Sequence, residues 1–135
     1  MRLGWTRVRR FVARPVARAW RGAAPDARPV AVAEALLLAV AFEARDRGRP
    51  EVLTAAAGWA AATWAPRRPA AVVLHSFHFL TPEPLAAREA ADLYTGLAAA
   101  LGGALGVPVR STAYGWRHAL ELEEEPDGTK GVVDF

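Results

Sequence analysis

Apolar residues dominate two short stretches in the first half of the chain. Residues Val30–Ala44 are strongly apolar, and the run Leu36–Phe42 within them is short enough to be either a helix or a buried strand. Residues Ala70–Leu74, which follow Pro69, form an unbroken apolar run typical of a strand covered on both faces. The pattern therefore leaves the first element open and predicts a strand for the second.

Two amphipathic helices are predicted beside these stretches. The first begins at Pro50, a residue favoured in the first turn of a helix, and stops at Pro66. The second follows the helix-start region Thr81–Pro84 and is closed by Gly102 and Gly103. Their predicted buried stripes comprise Leu53, Ala57, Ala60 and Trp64 in the first helix, and Leu85, Leu93, Tyr94, Leu97 and Leu101 in the second.

The last third of the chain alternates with the period of a strand. In Val107–Leu122 one predicted buried face carries Tyr114, Trp116, His118, Leu120 and Leu122. The turn residues 126–128 then allow Lys130–Phe135 to return as a short final strand. The order strand, helix, strand, helix, hairpin predicts a single α+β domain with an antiparallel or mixed sheet and two main helices packed on it.

Composition narrows the class of protein. The 135 residues suffice for one domain with one core, 53% are apolar, and no segment reaches the roughly 20 apolar residues of a membrane span. The chain has no cysteine, which excludes disulfides, thiolate zinc sites and cysteine nucleophiles and fits a reducing cytosol. We therefore expect a cytoplasmic protein without a metal or cofactor.

The positive charge is concentrated at the start of the chain. Residues 1–28 carry eight arginines and a single acidic residue, Asp26, whereas the remainder is net acidic. One interpretation divides the chain into a basic arm at 1–29, which is alternatively the first strand plus a loop, and a domain at 30–135. A basic arm is typical of a nucleic-acid or anionic-membrane partner, although the excess of Arg over Lys also fits a GC-rich genome. The candidate nucleic-acid contacts are Arg7, Arg9, Arg10 and Arg14.

Three histidines are the candidates for acid–base chemistry, because only their side chains have unperturbed pKa values near neutrality. His75 and His78 follow the predicted strand, and three residues apart in a strand they would point to opposite faces. His118 shares an apolar face and is either a hydrogen-bonded core residue or a pocket residue. Nucleophile-elbow, Walker and dinucleotide-binding motifs are absent, so the corresponding enzyme classes lack support.

Three blocks of sequence resemble the N-terminal editing domain of archaeal-type threonyl-tRNA synthetases. The run Glu34–Glu43 (EALLLAVAFE), followed by Asp46 and Pro50, resembles that family's second strand and helix start. Residues Ser76–Thr81 (SFHFLT) stand where the family has PFAHLS, and Tyr114–Leu120 (YGWRHAL) resembles its PFGYYK strand. The blocks occur in the family's order and span about two-thirds of the chain.

The resemblance implies a fold shared with D-aminoacyl-tRNA deacylases and a usually dimeric protein that hydrolyses mischarged tRNA, such as seryl-tRNA for threonine. In that chemistry the 3′-terminal ribose helps to activate the water. The site residues that the resemblance implies are catalytic His118 and His78, with substrate contacts from Ser76, Phe77, Phe79, Thr81, Tyr114, Trp116 and Arg117. The alternative is a catalytically degenerate, dimeric module that binds aminoacyl-tRNA or another ligand on the same scaffold.

The chain departs from the family pattern at functional positions. Phe79 occupies the family's histidine position, and His78 stands one place earlier. Arg117 and His118 replace a tyrosine and a lysine. The early His-Ser-Asp of the family corresponds to residues 7–9, which are Arg-Val-Arg here, and the family's ending is not recognisable after Glu125. The resemblance thus predicts a fold and a candidate pocket. It does not decide whether the pocket is catalytic.

Overall fold

Six strands and two long helices follow one another in the computed structural model, which describes all of residues 1–135. The strands are β1 (Arg2–Arg18), β2 (Val30–Ala41), β3 (Ala71–Ser76), β4 (Val109–Ser111), β5 (Trp116–Glu124) and β6 (Lys130–Asp134), and the helices are α1 (Glu51–Trp64) and α2 (Ala87–Leu105). All six strands form one mixed sheet, and both helices pack on it. The predicted α+β class is confirmed.

The first apolar stretch is a strand. β2 pairs antiparallel with β1 along almost its whole length and parallel with β3 on its other side. Pairing on both edges satisfies the backbone hydrogen bonds of Leu36–Leu38, whose side chains are buried on both faces of the sheet. Residues buried in this way are apolar at successive positions, which is why periodicity could not distinguish the strand from a helix.

The two helices lie on the same face of the sheet. β2, β3 and β4 are parallel neighbours in the order β4-β3-β2-β1-β5, and α1 and α2 are the two crossovers that connect them. Because both crossovers step in the same direction, right-handed connections place both helices on one face. The core between sheet and helices is built from fully buried side chains that include Leu36, Leu38, Leu74, Leu97 and Leu101. Each such leucine contributes about 1.5–3 kcal/mol of burial.

Helix α2 continues past its predicted end. Gly102 and Gly103 are helical, and the helix stops at Leu105. Gly106 has a φ of +62° and donates its N–H to the carbonyl of Gly102, which is the geometry that glycine allows at a helix end. The sequence predicted that Gly102 and Gly103 close the helix. Of the three glycines at 102, 103 and 106, only Gly106 adopts the left-handed conformation that ends it.

The first 18 residues form the longest strand of the sheet. β1 pairs with β2 on one side and with β5 and β6 on the other. The first-strand alternative for this segment is therefore the one observed. Its arginines face the acidic strand β5, and the resulting ion pairs are Arg7–Glu125, Arg9–Glu123, Arg10–Glu121 and Arg14–Glu121.

The predicted strand Val107–Leu122 is divided in two. β4 ends at Ser111, and β5 begins at Trp116 on the opposite edge of the sheet. Gly115, with a φ of +78°, reverses the chain between them. The prediction that one face of β5 is buried is wrong at its far end, because Leu120 and Leu122 are 41% and 47% exposed. The helices cover the other face of the sheet, and no element covers these two leucines.

Neither helix has the length and apolar character that a membrane crossing requires.

Candidate functional site

The sheet curls so that its edge strand β5 approaches β3. Two strands, β2 and β1, lie between them, and three strand spacings of about 4.8 Å would put β3 and β5 about 14 Å apart in a flat sheet. The imidazole rings of His75 on β3 and His118 on β5 are nevertheless only 5.6 Å apart, centroid to centroid. Register shifts in the β1–β5 ladder, at Val8–Arg10 and Pro15–Ala17, mark where β1 bends to allow this.

A cavity of about 430 Å³ opens where the curled sheet brings these strands together. It lies beyond the carboxyl ends of the parallel strands β3 and β4, the position at which ligands bind in open sheets of this kind. Its wall is formed by residues 19–20 after β1, residues 75–79 at the end of β3, the approach to α2, and residues 112–118. The volume suits a small molecule or the end of a larger one.

A buried hydrogen-bond network fixes the floor of the cavity. The Nδ1 atom of His75 lies 2.8 Å from the Thr112 hydroxyl. The hydroxyl of Tyr94 on α2 donates to the carbonyl of Leu74 at 2.7 Å and lies 3.3 Å from the same Thr112 hydroxyl. Burial, with a smaller contribution from His118, lowers the pKa of His75 to about 4, so this ring is neutral near pH 7. Burial raises the pKa of Tyr94.

His118 is the unsatisfied group of the site. Both of its ring nitrogens are buried, and neither makes a hydrogen bond to a protein group. Burial lowers the pKa of His118, and the backbone of Trp116 acts in the opposite direction. A buried donor or acceptor without a partner costs about 1–3 kcal/mol. His118 borders the cavity, so a rotation of its side chain that turns a ring nitrogen towards the cavity would let a polar ligand group recover this cost.

Aromatic side chains make the mouth of the cavity apolar. Phe77 and Phe79 meet edge to face at 5.7 Å, and His78 lies against Phe79 at 4.1 Å. Despite these two contacts, Phe79 is 77% exposed, so most of its ring faces solvent. On the opposite side Trp20 packs edge to face on Tyr114 at 6.1 Å. These rings offer flat surfaces on which a planar group can stack.

The turn at Gly115 joins the end of β1 to the cavity wall. Its carbonyl accepts hydrogen bonds from the backbone N–H groups of Ala19 and Trp20. A Cβ at Gly115 would lie 2.8 Å from the Cβ of Ala23, so only glycine fits this approach. The indole of Trp116 is held in place by a 2.9 Å hydrogen bond to the carbonyl of Ala24.

Most of the predicted site residues lie around this one cavity. Two of the three segments that carry the family resemblance contribute, and the lining includes Ser76, Phe77, His78, Phe79, Tyr114, Trp116, Arg117 and His118. His75 and His78 do not point to opposite sides, because the chain turns into a short 3-10 helix at residues 78–80. Both therefore border the cavity.

Thr81 lies outside the cavity. Its side chain is buried, and its hydroxyl donates to Glu43 at 3.1 Å and accepts from the backbone N–H of Glu83. These bonds fix the loop before α2, and the substrate contact that the resemblance implies for Thr81 stays a prediction.

The predicted nucleic-acid contacts also lie apart from the cavity. Each of the four predicted arginines, Arg7, Arg9, Arg10 and Arg14, is paired with a glutamate of residues 121–125, and none lines the cavity. These pairs run along the two adjacent strands as a charge ladder. The sequence shows both charge clusters, but it does not show that they face one another.

Three residues of the site were not predicted. The sequence placed His75 at the end of a strand but did not assign it to the site. It follows an apolar run that is buried on both faces, and residues at the carboxyl end of such a strand commonly form the floor of a ligand site. Thr112 and Trp20 carried no such signal, because both reach the cavity only through the curl of the sheet. No group of three or more His, Asp or Glu side chains is arranged to hold a metal ion.

A comparison with protein-family models gives no match, and a search of curated protein sequences gives none either.

Proposed function

We propose that the protein is a free-standing aminoacyl-tRNA deacylase that hydrolyses mischarged tRNA, with a substrate of the seryl-tRNA(Thr) type. One observation carries the proposal. Residues 76–79 and 114–118, which were selected by their likeness to two blocks of an editing domain, border the same cavity although about 40 residues separate them.

The chemistry of the cavity supports ester hydrolysis without a metal or cofactor. A neutral imidazole accepts a proton, and His118 presents ring nitrogens that no protein group occupies. We assign to His118 the orientation of the attacking water or of the ribose hydroxyl beside it. His78 lies at the mouth, where it contacts the substrate rather than the reacting ester.

The aromatic mouth supports recognition of a nucleoside. A terminal base can stack on the exposed face of Phe79 or on Trp20, and such stacking contributes about 1–3 kcal/mol per base. The aminoacyl ester would then reach the floor formed by His75 and Thr112. Holding the ester beside His118 supplies much of the rate by orientation alone.

The test is a deacylation screen. Purified protein is incubated with a panel of tRNAs charged with correct and incorrect amino acids, and release of the amino acid is followed over time. The proposal requires faster release from at least one mischarged tRNA than from its correctly charged counterpart. Uniform stability of all the esters would exclude the deacylase.

A binding module without catalysis is the second candidate, and the charge of the cavity favours it. His118 replaces the family's lysine, and because its pKa is lowered it contributes no positive charge at neutral pH. An aminoacyl-adenosine analogue that binds without turnover of the corresponding ester would identify this module. The fold is compatible with either function.

We also propose that the protein forms a homodimer, whichever of the two functions it has. Two exposed apolar side chains of β5, Leu120 and Leu122, lie on the face of the sheet that no helix covers. A second copy of the chain, placed on this apolar patch, would remove both side chains from water.

A further inference from the structure

The arginines that border the cavity differ from those of the charge ladder. Arg117 lines the cavity wall, and Arg18, Arg21 and Arg88 each adjoin a residue that lines it. All four are exposed, and none forms an ion pair. We call these four residues the arginine collar.

Acidic groups are scarce near the collar. No aspartate or glutamate lines the cavity. Two glutamates adjoin lining residues in the sequence, and one of them, Glu121, is already paired with Arg10 and Arg14. The other is Glu83, and the unpaired Asp92 lies one helical turn after Arg88 on α2. The four unpaired arginines outnumber these two carboxylates, so the positive potential at the mouth is only partly neutralised by the protein. In the ladder, by contrast, each arginine has a glutamate partner.

The collar lies on two sides of the mouth. Arg18 ends β1 and stands opposite Trp116 in the β1–β5 register, while Ala17 stands opposite Arg117. Arg21 follows Trp20 on the same side, and Arg88 lies at the start of α2 on the other. A chain of phosphates entering between these sides would meet arginines from both.

We propose that the arginine collar holds the phosphates of a single-stranded RNA end whose terminal base enters the aromatic mouth, and that the charge ladder takes no part in RNA binding. This inference rests on the proposed function for the identity of the RNA. Guanidinium groups bind phosphate oxygens with two parallel hydrogen bonds, and aromatic rings stack on any base. An apolar cavity with a basic rim that is only partly neutralised combines both requirements.

The test compares two double variants that remove the same charge. Arg18→Gln with Arg117→Gln removes two collar arginines, and Arg10→Gln with Arg14→Gln removes two ladder arginines from exposed positions. Binding of a short single-stranded RNA with the 3′ sequence of tRNA is measured by fluorescence anisotropy over a range of salt concentrations. Thermal unfolding of each variant verifies that it is folded.

The collar variant is expected to bind the RNA about tenfold more weakly, with its salt slope lowered by about 1.4, or about 0.7 for each phosphate released. The ladder variant is expected to bind within about twofold of the parent chain. Equal weakening in the two variants would show a general field effect and overturn the proposal. Failure of the parent chain to bind RNA would also overturn it.

Two further arms distinguish the ligand and the function. Adenosine monophosphate that binds as tightly as the RNA, with the same loss in the collar variant, would assign the collar to a free nucleotide and overturn the RNA assignment. Collar-dependent RNA binding without any ester hydrolysis would support the collar and reject the deacylase. The two proposals can therefore fail separately.

Discussion

The imidazole rings of His75 and His118 meet edge to face with their centroids 5.6 Å apart, although two strands separate β3 from β5 in the sheet. His75 is anchored through Thr112, and His118 has no hydrogen-bond partner. One ring is thus fixed and neutral, and the other borders the cavity without a side-chain partner that fixes it. This pair is the centre of the candidate site.

Burial of His75 predicts a loss of stability in acid. Its pKa is lowered from 6.5 to about 4, so the unfolded chain binds the proton more readily than the folded one. The stability contributed by neutral His75 is complete above about pH 6.5 and is lost as the pH falls towards 4. Between pH 7.5 and 4.5 the loss amounts to about 2–3 kcal/mol.

The measurement for this prediction is urea unfolding of the parent chain and of His75→Gln at the two pH values. The variant lacks the titrating ring, so its unfolding free energy should fall less over this interval. His78 is exposed, so His78→Gln serves as the matched control. The unfolding free energy of this variant should decrease with pH as much as that of the parent chain does. An identical decrease in all three proteins would disprove the assignment to His75.

The N-terminal ammonium of the chain forms a buried ion pair that predicts a strong effect at Asp46. The nitrogen of Met1 lies 2.6 Å from Oδ1 of Asp46, and both residues are completely buried. Asp46 also accepts from the backbone N–H of Glu43 at 2.7 Å. Replacing Asp46 by Asn would leave the ammonium with Glu43, 3.3 Å away, as its one carboxylate partner, at a cost of about 1.5–3 kcal/mol.

The control for Asp46→Asn is Asp134→Asn. Asp134 pairs with Arg2 at 2.8 Å, but both side chains are substantially exposed to solvent. Exposed pairs contribute little, so this variant should unfold at nearly the same urea concentration as the parent. Similar destabilisation by the two substitutions would show that the buried Met1–Asp46 pair contributes no more to stability than the exposed Arg2–Asp134 pair.

The apolar patch formed by Leu120 and Leu122 predicts self-association. If a second copy covers it, the chain of 14.5 kDa should have about twice that mass by light scattering, and Leu122→Glu should return it to the mass of one chain. Val16→Glu is the control, because Val16 is 55% exposed and lies outside the patch. A parent chain that is monomeric at high concentration would exclude the dimer.

Both helices and the strand β3 could be predicted from the sequence because each depends on a local pattern. The unbroken run 70–74 identified the strand that is buried on both faces, and the apolar stripes identified both helices. The role of the first 18 residues could not be settled in this way. Their arginines read as a free basic arm, because the glutamates that pair with them are more than 100 residues away in the sequence.

The candidate site could be predicted in part. Likeness to known blocks selected His118 and Phe77, which do border one cavity. Trp20 and Thr112 depend on the curl of the sheet, which arises from irregular pairing between β1 and β5 and leaves no periodic signal. Thr81 belongs to the same block as Phe77 but lies outside the cavity, because the chain turns at residues 78–80.

The most direct test of the account is hydrolysis of seryl-tRNA(Thr) by the parent chain and by His118→Ala. If His118 orients the reacting groups, its removal should lower the first-order rate about 100-fold, the lower end of what a positioned acid–base group contributes. The folded state is verified by urea unfolding, and Thr95→Ala on the exposed surface of α2 should retain the parent rate. A rate that is unchanged in His118→Ala, or absent in the parent chain, would contradict the account.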